Sequence, residues 1–293
     1  MSIPHLILLI AIMAIGGGNL VAMKVLVNDL PPFLASSMRF GLALLLLLPF
    51  LKIQKGRMKA LLLTTMNVGV LNFGLAFMAL SMTDLASSMA FIFVLGVPIT
   101  AILAVVYLGE SIGIWRLAGI AGSFAGAVVL GFDPVVFGYL DAMLLGLLVA
   151  LTFAIGTIQM RRLSGVRPLA FQAWLAATIL PFHLAATLLF EEGQIAAMIN
   201  MSGSLILALA YTAVMVTMLA HTGYFYLLQR YPVTSVMPFT PLATVFGVGF
   251  AVLLLGETLS MQMLTGGLIT MAGVLLITLR NRDRALELTE DKT

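Results

Sequence analysis

Cysteine is absent from the 293 residues, so disulfides and thiolate metal sites are excluded. Charge is scarce. Asp, Glu, Lys and Arg make up 9% of the chain against 61% hydrophobic residues, where a soluble domain carries about 25% charged residues. No soluble fold of this length hides so much apolar surface, so the chain is expected to lie in a lipid bilayer. Its formal net charge of +3 is spread over short loops, not gathered on one stripe, which argues against nucleic acid as a partner. The twelve acidic residues sit in loops, in the tail or at the ends of apolar runs. A carrier coupled to protons or sodium commonly places a carboxylate in mid-membrane, so this chain leans towards facilitated diffusion or exchange unless a histidine carries the proton. Paired carboxylates, a His/Asp/Glu cluster and a nucleophile–base pair are all missing at membrane depth, which argues against an enzyme and implies no cofactor or metal. The charged ring or filter loop of a channel is missing too.

What the chain has is long apolar runs. A helix needs about 20 apolar residues to cross a hydrocarbon core of ~30 Å. Ten runs qualify, at about 4–24, 33–51, 58–80, 85–107, 114–131, 140–160, 168–190, 203–228, 233–255 and 262–280. The first lacks a basic n-region and a small-residue cleavage site, so it reads as a retained helix and not a signal peptide. An all-α membrane protein of ten transmembrane helices is therefore expected.

The chain also repeats itself. Residues 107–127 read YLGESIGIWRLAGIAGSFAGA and residues 254–274 read LLGETLSMQMLTGGLITMAGV. An offset of 147 aligns Leu108-Gly109-Glu110 with Leu255-Gly256-Glu257, Gly119 with Gly266, Gly126 with Gly273 and Ser88 with Ser235. Two repeats follow, 1–137 and 138–282, with 283–293 as a charged cytoplasmic tail. With the N-terminus inside, the inner loops and tail hold Lys52, Lys55, Arg57, Lys59, Arg116, Arg161, Arg162, Arg167, Arg230, Arg280, Arg282, Arg284 and Lys292, thirteen of the fifteen basic residues. The outer loops hold only acids, so both termini are expected in the cytoplasm. Five crossings per repeat is an odd number, so the second repeat enters the membrane upside down, a recurrent plan of secondary transporters.

Gly17-Gly18-Asn19 with Lys24, then Leu30-Pro31-Pro32 and Arg39-Phe40, resembles the opening of EamA-type transporters of the drug/metabolite transporter superfamily. The paired Leu-Gly-Glu segments, each followed by a glycine-spaced helix, resemble the ends of its two repeats. The resemblance covers essentially the whole chain. One departure is Ile15-Gly16-Gly17-Gly18, where many members carry an aromatic. The resemblance implies a multi-pass protein of the bacterial inner membrane that exports amino acids or related metabolites, with YddG-like exporters of aromatic amino acids as the nearest subgroup.

Several residues are candidates for carrying transport. His221 lies well inside the eighth run, with Tyr224 one turn on; it is either a satisfied structural histidine or a contact for substrate or proton. His183 in the seventh run has only Thr187 as a polar neighbour at helical spacing and reads as structural. Asn19, Asn72 and Gln159 are amides at membrane depth, Asn72 has Phe73 and Phe77 beside it, and Trp174 stands near Gln172 in the seventh run. Such groups either bond between helices or line a pocket for a zwitterion with an apolar side chain. Tyr211 is a further polar aromatic in the eighth run. Pro98, Pro238 and Pro241 fall inside the fourth and ninth runs, where they act as cavity-lining hinges or as simple kinks. Arg39 either snorkels to the outer surface or faces the pathway and attracts carboxylates; Lys24 is expected to snorkel. The glycine stripes at Gly119, Gly122, Gly126 and Gly266, Gly267, Gly273 pack helices or form a dimer interface, leaving a monomer or weak homodimer. The expected pathway runs among the third, fourth, eighth and ninth runs, lined by Asn72, Phe77, Ser88, Phe91, His221, Tyr224, Thr240 and Pro241, with Asn19 and Gln159 as further wall. It suits an uncharged, zwitterionic or partly apolar small molecule.

Overall fold

The computed structural model describes residues 1–84, 86–110, 113–131, 139–258, 260–262, 264–269, 271–273 and 276. Every regular element among them is helical. The helices are α1 (Ile3–Asp29), α2 (Pro32–Phe50), α3 (Met58–Ser81), α4 (Ala86–Val94), α5 (Gly96–Leu108), α6 (Ile114–Gly131), α7 (Leu140–Arg162), α8 (Pro168–Phe190), the short α9 (Gln194–Ile199), α10 (Gly203–Arg230), α11 (Val233–Val236) and α12 (Pro241–Leu255). Among the described residues, seven segments are long and apolar enough to cross a membrane: α1, α2, α3, α7, α8, α10 and Val233–Leu255. The other three expected crossings match shorter apolar helices, Ile92–Leu108, Leu117–Gly126 and Leu264–Gly273.

Prolines mark the starts. Pro32, Pro168 and Pro241 each open a helix, where a missing N–H costs nothing and the fixed φ suits the first turn. The fourth run does not bend smoothly at Pro98. It breaks at Leu95, and Pro98 sits in the first turn of α5. The ninth run breaks likewise, through the tight turn Met237–Phe239, before Pro241 restarts it. Among the described residues, the one proline in a helix interior is Pro181 of α8, a position the sequence pattern did not single out.

The repeated Leu-Gly-Glu ends α5 and α12 in the same way. Gly109 and Gly256 adopt φ of +65° and +70°, the left-handed region that a Cβ disfavours. Each lets the next N–H turn back, from Glu110 to the carbonyl of Ala104 and from Glu257 to that of Ala251. Each glutamate then crosses to the other half of the chain. Glu110 accepts the backbone N–H groups of Val233 and Thr234, both at 2.9 Å. Glu257 accepts those of Ala86 at 2.9 Å and Ser87 at 3.4 Å, and the Ser87 hydroxyl at 2.6 Å. The same offset that aligns the glutamates aligns Ala86 with Val233. The C-terminal end of each broken segment thus caps the N-terminal end of its counterpart, so the two run antiparallel. A third carboxylate, Glu191 at the end of α8, accepts the N–H groups of Phe33 and Leu34 at the start of α2, at 2.7 and 3.1 Å. A negative charge on a helix N-terminus satisfies orphan N–H groups and opposes the positive end of the dipole.

Contacts between halves dominate. α1 packs on α12 and, in the mirrored arrangement, α7 packs on α5; α2 packs on α8. The glycine stripes face one another within the chain: a Cβ on Gly273 would meet the Ser123 nitrogen at 2.6 Å and the Gly119 carbonyl at 2.7 Å. Close approach of helices through small residues is the usual use of such stripes.

Two repeat-related stretches are wound wider than an α-helix, Met66–Leu71 in α3 and Tyr211–His221 in α10. Such widening leaves carbonyls without their usual partner and often marks functional sites. In α3 the His183 Nε2 contacts the Val70 carbonyl at 2.9 Å. In α10 the Thr217 hydroxyl donates to the Thr212 carbonyl at 2.9 Å and is itself held by Arg39.

Candidate functional site

A cavity of about 280 Å³ lies where the halves meet, lined from α1, α3, α4, α5, α7, α8, α10 and α12 and from Thr240 just before α12. A water occupies about 30 Å³ of liquid volume, so this space suits one small metabolite. The wall is mostly apolar, with Phe73, Phe93, Phe153 and Phe171 as its aromatics and Asn19, Asn72, Gln172, His221, Tyr224, Thr240 and Thr244 as its polar groups. No acidic residue lines it among the described residues. Few polar groups on a concave apolar wall is the usual make-up of a small-molecule site.

Of the residues expected from sequence, the fold gathers Asn19, Asn72, His221, Tyr224 and Thr240 on this one cavity. The hydrogen bonds decide what each still offers. Asn72 donates to the Val149 carbonyl at 2.8 Å and the Thr152 hydroxyl at 2.9 Å, which ties α3 to α7 and leaves its carbonyl oxygen as the group with no donor. Thr240 spends its hydroxyl on the Met237 carbonyl at 2.7 Å, closing the tight turn. Tyr224 donates to the Met237 sulfur at 3.2 Å, a weak acceptor, has the Thr157 side chain as a further hydrogen-bond neighbour, and stacks on Phe153 with ring centres 6.4 Å apart. His221 tilts against Phe73 with ring centres 5.5 Å apart, and its ring nitrogens hold no hydrogen-bond partner among the described residues. His221 and Tyr224 are therefore the cavity groups most open to a new partner.

Others lie off the cavity wall. Gln159 accepts from Asn67 at 3.1 Å. Tyr211 donates to the Ile15 carbonyl at 2.9 Å, and a Cβ on Gly18 would collide with its hydroxyl. The triple glycine thus serves helix packing at Gly17 and Gly18, and only Gly16 borders the cavity. Trp174 donates to the Lys52 carbonyl at 2.9 Å, near the chain's basic loop. Phe77 is fully buried among Leu80, Met89 and their neighbours. Pro241 is buried at the head of α12. The side chains of Ser88 and Phe91 lie outside the described residues.

His183 is satisfied at both ring nitrogens, by Ser36 at 2.7 Å and Val70 at 2.9 Å, and so is structural. Lys24 does not snorkel: it is buried and donates to the Thr83 carbonyl. Arg39 does not snorkel either. It is fully buried, with Nη1 on the Asn19 carbonyl oxygen at 3.0 Å and Nε and Nη2 on the Thr217 hydroxyl at 3.3 and 3.2 Å. Of the pair Trp174 and Gln172 it is Gln172 that borders the cavity; it is buried and keeps a carbonyl oxygen without a partner.

An interlocked, two-half helical bundle with a mostly apolar cavity between its halves has the plan of a membrane transporter. Comparison with known proteins is consistent with this. The model of the EamA-like transporter family matches twice, over residues 3–132 and 140–279, and the chain belongs to that family. A protein of Salmonella typhimurium named a probable amino-acid metabolite efflux pump is 29% identical over 276 residues, covering 91% of this chain and 92% of that one. Its Escherichia coli namesake is 27% identical over 277 residues, covering 92% of each. A crystal structure of another protein superposes with a TM-score of 0.73 over 94% of this chain and 97% of that one; at 18% identity it shows a shared fold.

Proposed function

We propose that this chain is a secondary transporter that exports amino acids, aromatic ones among them, or related small metabolites by alternating access, through facilitated diffusion or exchange. The observation that carries the reading is the cavity itself: a mostly apolar space for one small molecule, between two halves joined by antiparallel, repeat-related contacts. In this reading ten helices cross the bacterial inner membrane as two inverted five-helix repeats, 1–137 and 138–282, with both termini in the cytoplasm. The lipid bilayer and the substrate are the partners. The glycine stripes being used within one chain supports a monomer. The name carried by the two enterobacterial relatives supports an amino-acid metabolite as cargo.

Counterflow in liposomes tests the reading. Trapped unlabelled phenylalanine or leucine should accelerate uptake of the labelled compound, which only a carrier does. Uptake that is indifferent to trapped amino acid would reject amino acids as cargo.

His221→Ala is expected to weaken counterflow about five- to hundredfold while sparing expression, since losing one buried hydrogen bond costs ~1–3 kcal/mol. Normal transport by this variant would remove His221 from the pathway. The orientation has its own check. Reporter fusions after Lys55 and Arg162 are expected to be cytoplasmic and those after Asp133 and Glu192 periplasmic; a periplasmic reporter at Arg162 contradicts the inverted arrangement.

A further inference from the structure

Arg39 stands about two turns into an apolar helix and is wholly buried. A guanidinium at that depth is expensive unless something offsets its charge. Among the described residues no carboxylate does. Its contacts are all neutral: two bonds to one threonine hydroxyl, one bond to the Asn19 amide oxygen, and the faces of Phe40 and Phe73, each with its ring centre 5.0 Å from the guanidinium carbon. Three of its five N–H donors are spent, and none on an anion.

Two of those contacts, Asn19 and Phe73, are themselves walls of the cavity. A single layer of side chain therefore separates the cation from the space. That layer is weakly fastened at Asn19, whose amide nitrogen, among the described residues, is held only by the Met23 sulfur at 3.3 Å. Its carbonyl oxygen occupies a position on Nη1 that suits a carboxylate oxygen. Turning Asn19 aside loses one bond to a neutral oxygen. A carboxylate arriving there gains charge-assisted, bidentate bonds, which are about twice as strong as neutral ones.

We propose that Arg39 is the carboxylate anchor of the transported molecule, with Asn19 as the movable cover that keeps the cation company when the site is empty. The inference rests on the reading of the cavity as a transport site and sharpens it. The cargo carries a carboxylate, and its apolar body lies along Phe73, Phe153 and Phe171. His221 and Tyr224 are then left to meet the remaining polar groups.

The test uses the full chain in liposomes, with counterflow of labelled phenylalanine or leucine and with each amino acid or its carboxamide as unlabelled competitor. The two competitors differ only in the group that Arg39 would hold. Wild type is expected to accept the carboxamide about 10- to 100-fold less well than the acid, the range for losing a hydrogen bond to a charged group. Arg39→Gln should lower affinity for the acid and reduce this discrimination to about threefold or less. Arg39→Lys, which keeps the charge but not the fork, should fall between. A purely structural arginine moves expression and stability but leaves the ratio between competitors alone. The inference is overturned if wild type accepts acid and amide equally, a comparison that stands even where Arg39→Gln does not fold. It is also overturned if Arg39→Gln folds and keeps the wild-type ratio. A chain that shows no counterflow with either amino acid overturns instead the amino-acid reading beneath it, and this inference with it.

Discussion

Gly17→Ala is expected to yield little folded protein. A Cβ on Gly17 would lie 2.6 Å from the Gly247 nitrogen, 2.6 Å from the Phe246 Cβ and 2.9 Å from the Ala243 carbonyl. These are backbone and near-backbone atoms of α12, so no side chain can swing away and the helices themselves must separate. Overpacking a tight site costs about 1–3 kcal/mol when the neighbours yield, and more is expected where they do not. The contact is central, because α1 against α12 is one of the most extensive in the molecule and both helices border the cavity. Gly249→Ala is the matched control. It lies in α12, the helix that Gly17 packs against, nothing stands within 4 Å of its added Cβ, and alanine is favoured over glycine within a helix by about 0.5–1 kcal/mol. Thermal unfolding and size-exclusion profiles in detergent decide the matter: equal behaviour of the two variants would refute the packing argument.

Glu257→Ala and Glu110→Ala form the second pair. The sequence alone suggests that amides at these span-end acids leave exchange intact, because the acids lie outside the membrane core. Their geometry changes the expectation. Each carboxylate satisfies two backbone N–H groups of the opposite half, and Glu257 also takes the Ser87 hydroxyl. Hydrogen bonds to charged groups contribute about 1.5–3 kcal/mol each when well formed, and both glutamates are only half-buried, so a loss of about 1.5–3 kcal/mol per alanine variant is expected. The double variant should lose about twice that, since the two sites lie at opposite ends of the antiparallel pair and share no partner. Glutamine should recover only part of the loss, because its single carbonyl oxygen can accept one N–H while its NH2, a donor, leaves the other unsatisfied. Unfolding of both alanine variants at the wild-type temperature would show that these caps hold nothing. Counterflow should slow with stability, as the capped segments carry Ala90, Phe93, Val94, Thr240 and Thr244 of the cavity wall.

What was legible from sequence follows from features written along the chain. Scarce charge and long apolar runs require a membrane, and a membrane requires helices or a closed barrel because every backbone group must be satisfied. The offset of 147 exposes the duplication, and prolines mark helix starts because they need no partner there. Polarity at depth picked out Asn19, Asn72, His221, Tyr224 and Thr240, since a polar side chain in an apolar run needs a reason. The sequence does not say which polar groups are already satisfied. Gln159 and Tyr211 look like pathway residues until Asn67 and the Ile15 carbonyl are found beside them, and what holds the structural His183, Ser36 and the Val70 carbonyl, is not written in the sequence. Nor does it show that Lys24 and Arg39 turn inward, or that three glutamates cap helices far along the chain. These outcomes depend on the rotation of each helix about its axis and on its height against its neighbours. Where every face of a helix is apolar, periodicity carries no record of either, and only the packing of one half against the other decides them.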